Sequence, residues 1–392
     1  MARLCDPILC TACMACSNAC PAKAIVFEED SLGCLMPSID SEKCIDCGLC
    51  SKMCPQLEPS EKHAIIKAYA LYTKDAIDRK LCASGGVATT LGRYFLQAGG
   101  AVSGTAFDSN GKPVMRLAEN ERDLEDFRGS KYVYCEPGDI YLQVKERLRQ
   151  GKQVLFIGLP CQVDACIKIT GDSVLLTTVD LICHGTPPYT YLKEHFQNQV
   201  KVNVPVASFS FRGSNNYVLC AFDCRENYLY KRRQVEDAYF SAFMDGILFR
   251  ENCFQCKYAE RRRIADITIG DFWGLQSGAL GGYQGRVSVA LCNTEKGIEI
   301  LDQVKDKFVW EERDPQEAIA GNAQLREPSL KSPERNIFSE VYRRTGGFTR
   351  AIRETSIPWR NRKALIRRGV FAIPKTIRAK FKTRQKQGRS KR

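Results

Sequence analysis

Histidine is scarce in this chain: three residues among 392. There is no Gly-x-Gly-x-x-Gly and no Walker motif, so the ordinary nicotinamide and nucleoside-triphosphate folds lose ground. No apolar run approaches the length of a membrane-spanning helix; the best, Val154 to Leu159, reads as a buried strand. The first residues carry no apolar h-region, so no export signal is expected. Twenty cysteines without an export route read as reduced metal ligands and buried thiols of a cytoplasmic protein. Acidic residues nearly vanish from 341 to 392, where eighteen Lys and Arg meet only Glu354. That stretch carries +17 against a formal +13 for the chain, which leaves −4 for residues 1 to 340. The body is therefore not a basic, nucleic-acid-like surface, and nucleic acid is not an expected partner. A hydrophobic content of 44% and a charged content of 26% suit a globular protein long enough for two domains.

What is abundant is cysteine in a repeated spacing. Cys10, Cys13, Cys16 and Cys20-Pro21 are followed by Cys44, Cys47, Cys50 and Cys54-Pro55. The spacing C-x2-C-x2-C-x3-C-P is the bacterial ferredoxin pattern for a 4Fe-4S cluster, and its fourth cysteine serves the other cluster. Cys10, Cys13, Cys16 and Cys54 are thus expected around one cluster, and Cys44, Cys47, Cys50 and Cys20 around a second. Zinc sites favour two close pairs over triplets with a distant fourth, and disulfides need an oxidising compartment. Cys5 and Cys34 lie off the motif and read as small buried thiols.

The chain divides into a two-cluster ferredoxin-like module at 1–58, an α/β domain with a mixed sheet at 65–340 and a basic tail at 341–392. Short helices are expected after each Cys-Pro, strands at Ile25–Phe27 and Leu35–Met36, and a polar linker at 59–63. In the α/β domain, strands are expected at 65–72, 101–107, 154–157, 175–182, 267–269 and 287–291. Helices are expected at 87–97, 140–149 and 189–200, a hairpin at Asn110-Gly111 and a β-rich insertion over 206–224. Residues 296–340 read as helix and loop. In the tail, Ile366, Val370, Ile373, Ile377 and Phe381 form one helical stripe interrupted by Gly369 and Pro374. A kinked amphipathic helix on an anionic membrane surface and a disordered solubilising tail are the two readings.

Four more cysteines stand out. Cys161 and Cys183 follow expected strands, and Cys253 and Cys256 form a C-x-x-C. Together they make a four-thiolate set, with a redox disulfide or a structural zinc as alternatives for the pair. Ser84-Gly85-Gly86 at a helix start suits a pyrophosphate, though a simple helix cap explains it equally in isolation. The loop Gly129-Ser130-Lys131-Tyr132 adds a cation and hydroxyls. Gly158 ends a strand, and Asp271 with Trp273 at the end of another suits contact with a flat cofactor, or an aromatic lid. His184, beside Cys183, suits proton transfer near a redox centre or the bracing of its loop. His184 and Lys131 are the expected catalytic groups.

These motifs in this order resemble the beta subunits of the factor-420 (deazaflavin coenzyme) hydrogenases and dehydrogenases, over residues 1 to about 330. The resemblance covers Ser84-Gly-Gly, Gly129 to Tyr132, Gly158 to Gln162, Asp180 to Gly185, Cys253 to Cys256 and Ala265 to Gly274. It implies Cys161, Cys183, Cys253 and Cys256 as ligands of a third 4Fe-4S cluster, and FAD held by the Ser84–Gly86 and Gly129–Tyr132 loops. It implies an iron–sulfur flavoprotein oxidoreductase fed by a ferredoxin or another low-potential donor and acting on an organic substrate or deazaflavin-like coenzyme. Similar proteins occur among polysaccharide-synthesis functions. The alternative is an electron-transfer subunit docked to a catalytic partner. Location is expected in the cytoplasm, with the tail at the inner face of the membrane.

Overall fold

The structure, a computed structural model, describes residues 2–199, 204–213 and 216–367. In chain order its strands are β1 (Ile25–Glu29), β2 (Leu35–Ile39), β3 (Lys67–Thr73), β4 (Ala101–Phe107), β5 (Pro113–Ala118), β6 (Val154–Gly158) and β7 (Leu176–Leu181). There follow β8 (Ser208–Arg212), β9 (Tyr217–Phe222), β10 (Tyr228–Arg233), β11 (Ile267–Asp271), β12 (Ser288–Cys292) and β13 (Phe308–Arg313). The main sheet runs β13-β3-β12-β11-β7-β6-β4-β5. Its centre, β4-β6-β7-β11, is parallel, and the pairs outside it are antiparallel. The central strands read as continuous Val, Leu and Ile because both faces are covered. One face packs on the helices Ile140–Arg149 and Pro160–Thr170, and the other on Val87–Gln97 and the segment around Leu301.

Because β6, β7 and β11 are adjacent and parallel, the chain leaves all three at the same edge of the sheet. Cys161, Cys183 and Trp273 come just after those exits. Ser288 pairs with both Asp271 and Leu71, which brings the start of β12 and the end of β3 to that edge as well. This is the carboxyl edge at which open α/β sheets gather ligands. The insertion β8-β9-β10 forms its own antiparallel sheet and closes an aromatic core with the helices 189–199, 238–244 and 333–345.

Four sequence expectations change. The residues after each Cys-Pro make turns; the short helices, Ala15–Ala19 and Leu49–Lys52, lie before them, within the cysteine runs. Polar residues 59–63 are no free linker. His63 exchanges both backbone bonds with Arg263 at 2.7 and 2.8 Å, and Ser60 donates to Asp164 at 2.6 Å. Residues 296–340 contain β13, which pairs with β3 at the edge of the main sheet. The appendage does not begin at 341: helices Pro333–Thr345, Phe348–Arg353 and Ile357–Arg367 bury Val341, Tyr342, Phe348, Ala351, Ile352 and Ile357. Their apolar faces complete the aromatic core while arginines occupy the outer faces, so composition alone hid the packing. Ile366 falls in the last helix; Val370, Ile373, Ile377 and Phe381 lie outside the described residues. Among the described residues no helix is long and apolar enough to cross a membrane.

Candidate functional site

The two cysteine loops share one backbone. Ala12 and Asp46 both have φ 50°, while Met14 and Gly48 have φ 60° and 73°. Left-handed residues in such a run turn successive N–H groups into one concavity, the kind of nest that binds anions and iron–sulfur sites. The amide of Ala12 already points at Cys10 Sγ, 3.4 Å away. Non-glycine residues in that region are strained, and both copies of the repeat carry the strain at the same place.

The structure brings Cys54 beside Cys10, Cys13 and Cys16, whose thiols act on one another electrostatically. Cys20 instead lines a small cavity with Cys44, Cys47 and Cys50. The off-motif Cys5 is only half-buried and hydrogen-bonds Cys10 and Cys54, holding their thiols down at about 7 and about 6. Burial pushes Cys13 up to about 12. Cys34 is buried, as expected.

Cys161, in the first turn of Pro160–Thr170, Cys183 after β7, and Cys253 and Cys256 around the 3-10 turn Glu251–Gln255 also form one electrostatic neighbourhood. Burial, then mutual repulsion, pushes Cys161 and Cys183 well above the ordinary thiol range. Cys13 belongs to the same neighbourhood as Cys161, so the first cysteine loop abuts the third thiol set. All twenty cysteines are free thiols. Among the described residues no three His, Cys, Asp or Glu close on a single ion. In a cubane each thiolate binds a different iron, so its four sulfurs stand around a body rather than converge on a point.

The Ser84–Gly86 loop is fastened to the sheet. Ser84 Oγ donates to Val287 O at 3.1 Å and Gly85 N to Ser288 Oγ at 2.7 Å. A Cβ on Gly85 would stand 2.3 Å from Leu71 O, so strand packing itself requires glycine there. Gly86, at φ 87°, caps the helix Val87–Gln97. Gly129, at φ 79°, has open space where its Cβ would be. Gly158 closes β6, where a Cβ would meet the Phe156 ring at 3.0 Å.

Four expected site residues meet near this loop. Arg212 donates from Nε to Tyr132 Oη at 2.8 Å and pairs with Asp271 at 2.5 Å. His184 lies in the same field. Burial lowers its pKa while Asp271 pulls the other way, so its imidazole is neutral at pH 7. Tyr132 stacks on Phe243 and its hydroxyl is pushed by burial to about 12; Ser130 lies beside it. Trp273 is 46% exposed. Lys131 does not join them: its ammonium donates to Asp126 O and Arg128 O at 3.0 and 2.9 Å, and burial brings it down to about 8.

Sequence reasoning missed three arginines. Arg79 donates to Ser84 O at 2.9 Å and to Arg286 O at 2.8 Å, and packs over Tyr72, itself stacked on Tyr283 at 4.0 Å. Arg286 donates to Ala83 O and Gly213 O. Burial and then the neighbouring charges of Arg79 and Arg212 lower the pKa of Arg286, with Asp271 as the opposing anion. Crowded guanidinium groups beside a glycine loop suit a phosphate-bearing ligand. No local pattern marks positions 79, 212 and 286; only the fold collects them. The largest cavity, about 530 Å³, lies elsewhere, and its Arg313 is already paired with Glu311 and Glu317.

Comparison with known proteins matches residues 151–318 to the family described as the C terminus of the coenzyme F420 hydrogenase/dehydrogenase beta subunit. Residues 9–57 match a 4Fe-4S dicluster domain. The chain joins a 4Fe-4S dicluster domain to an F420 hydrogenase/dehydrogenase beta-subunit domain. It is 28% identical to the coenzyme F420-dependent sulfite reductase of Methanocaldococcus jannaschii over 42% of this chain and 26% of that protein. It is 26% identical to the uncharacterized protein MJ1349 of the same organism, over 44% and 56%. It is 38% identical to one subunit of the Na(+)-translocating ferredoxin:NAD(+) oxidoreductase complex of Acetobacterium woodii, over 17% and 20%. In each case the match spans less than two thirds of the relative. A chain of the F420-reducing [NiFe] hydrogenase complex from Methanosarcina barkeri aligns with TM-score 0.45 and 19% identity, over 80% of this chain and 95% of that one.

Proposed function

We propose that the protein is an iron–sulfur flavoprotein oxidoreductase. Cys10, Cys13, Cys16 and Cys54 hold one 4Fe-4S cluster, Cys20, Cys44, Cys47 and Cys50 a second, and Cys161, Cys183, Cys253 and Cys256 a third. FAD lies at the carboxyl edge of the parallel strands, its phosphates toward Arg79, Arg286 and the Ser84–Gly86 loop. Clusters carry single electrons and a flavin couples them to two-electron chemistry. The observation that supports this most is the shared neighbourhood of Cys13 and Cys161, which joins the dicluster loops to the sheet-edge site without a gap. In this reading Arg212 fixes Asp271 and Tyr132, and neutral His184 holds or releases a proton at its ring nitrogen. Lys131 braces the 126–128 turn in place of a catalytic role.

The donor is a ferredoxin or similar low-potential protein, and the acceptor an organic molecule or deazaflavin-like coenzyme. Anaerobically reconstituted protein should carry about twelve irons and one flavin, on the cubane count; eight irons and no flavin would leave a ferredoxin. A second reading, an electron-transfer subunit without its own substrate site, is favoured by the match to a family of beta subunits. A stoichiometric partner co-purifying from native extract supports that reading. Reduction of a dye or a deazaflavin by the lone chain supports the first.

A further inference from the structure

The carbonyls of Cys10, Thr11, Ala12 and Cys13, four in succession, each accept a hydrogen bond from a side chain of the α/β domain. Arg250 donates to Cys10 O at 3.3 Å and to Thr11 O at 2.7 Å. Tyr134 Oη donates to Ala12 O at 2.5 Å and Tyr141 Oη to Cys13 O at 2.9 Å. All three side chains are buried, and the Arg250 guanidinium lies 4.5 Å from the Tyr134 ring centroid. A trans peptide sets its C=O and N–H on opposite sides, so carbonyls held toward the body leave the amides facing the cysteine sulfurs. The repeated loop has no such arrangement: among the described residues no side chain donates to the carbonyls of Cys44 to Cys47. There Cys47 is exposed and Ile45 is 66% exposed. Two loops with one sequence spacing and one backbone thus sit in opposite environments. Arg250 also lies in the electrostatic field of both Cys10 and Cys253, so a buried cation stands between the first loop and the third thiol set.

We infer that Arg250, with Tyr134 and Tyr141, is the positioning element that makes the Cys10–Cys13–Cys16–Cys54 cluster the higher-potential member of the N-terminal pair and the one that hands electrons to the body. The inference rests on the cluster reading above. An added electron makes a cluster more negative, and a buried guanidinium stabilises that state more than the oxidised one. Each transfer oxidises the Cys20–Cys44–Cys47–Cys50 cluster by one electron and reduces its neighbour by one. No bond is made or broken and no proton moves.

The test is an EPR-monitored redox titration of the full, reconstituted chain. Arg250→Gln should make reduction of one N-terminal cluster at least tenfold less favourable, 59 mV for a one-electron couple. It should leave the other N-terminal cluster unmoved, and Arg250→Lys, which keeps the charge, should shift less than Arg250→Gln. Unchanged potentials with full iron content overturn the inference while leaving the three-cluster reading intact; wild-type protein that binds no more than four irons overturns that reading itself. Should Arg250→Gln fail to hold iron, the fully reduced wild type decides. The inference requires one N-terminal cluster to be magnetically coupled to the third cluster, and a third cluster uncoupled from both sinks it.

Discussion

Arg263 donates to Asp180 at 3.0 Å where neither side chain is more than 2% exposed. The same guanidinium donates to Tyr258 O at 2.7 Å and to Thr268 Oγ1 at 3.2 Å. It thereby ties the end of β7, which leads to Cys183, to the segment that carries Cys256. Removing one member of a buried pair strands the other, so Arg263→Met should destabilise the chain by about 3–5 kcal/mol. Burial raises the Asp180 carboxyl above its usual 3.8, with Arg263 pulling it back. A carboxyl raised in the folded state contributes stability below its unfolded pKa and loses it as pH rises through the folded value. Losing Arg263 raises the folded value further. The deficit of Arg263→Met, read by urea denaturation beside wild type, should therefore narrow as pH falls from about 7 toward about 5. A constant gap would mean that Asp180 is not the group left charged.

The crossed cysteines make a separate prediction. Cys20→Ser should remove about four irons, one cubane, and the lost signal should belong to the set with Cys44, Cys47 and Cys50. Pairing mutations identifies it without assigning spectra. Cys20→Ser with Cys47→Ser should lose no more iron than either alone, whereas Cys20→Ser with Cys16→Ser should lose about eight. If each run held its own cluster, the two double variants would exchange outcomes.

The cysteine runs were legible because their information is local: three thiols within seven residues followed by proline specify a loop whatever surrounds it. Strands such as Ala101–Phe107 were legible for a similar reason, as short apolar runs bounded by glycine or turn residues. The arginine group was not, because Arg79, Arg212 and Arg286 come from a helix, a separate sheet and a loop, and only strand order brings them together. β13 was hidden by its sequence, Phe-Val-Trp-Glu-Glu-Arg. An edge strand covered along one side shows alternation over too few residues to stand out.

Arg286 separates folding from ligand binding. Its like-charged neighbours make it unfavourable in the bare protein, so Arg286→Gln should leave thermal stability unchanged or slightly higher. A charge-assisted bond contributes about 1.5–3 kcal/mol, so flavin should bind roughly tenfold to a hundredfold more weakly. Equilibrium dialysis of the flavin alongside a melting curve reads both. A variant that loses stability but keeps its flavin would place the cofactor elsewhere.

The basic end of the chain divides at the last described helix. Ending the protein at residue 340 removes Val341, Tyr342, Phe348, Ile352 and Ile357 from the aromatic core. Large buried side chains contribute about 1.5–3 kcal/mol each, a loss comparable to the whole stability of a typical domain. Such a protein should be recovered unfolded or aggregated. Ending it at Arg367 leaves every one of these contacts, so iron content and melting temperature should match the full chain. The two proteins differ by ten Lys and Arg and no acidic residue. If that segment seats the protein on anionic lipid, the full chain should float with vesicles containing phosphatidylserine, less so in high salt, and the chain ending at Arg367 should stay at the bottom of the gradient. Equal flotation of both proteins, or of neither, removes the membrane role from residues 368 to 392.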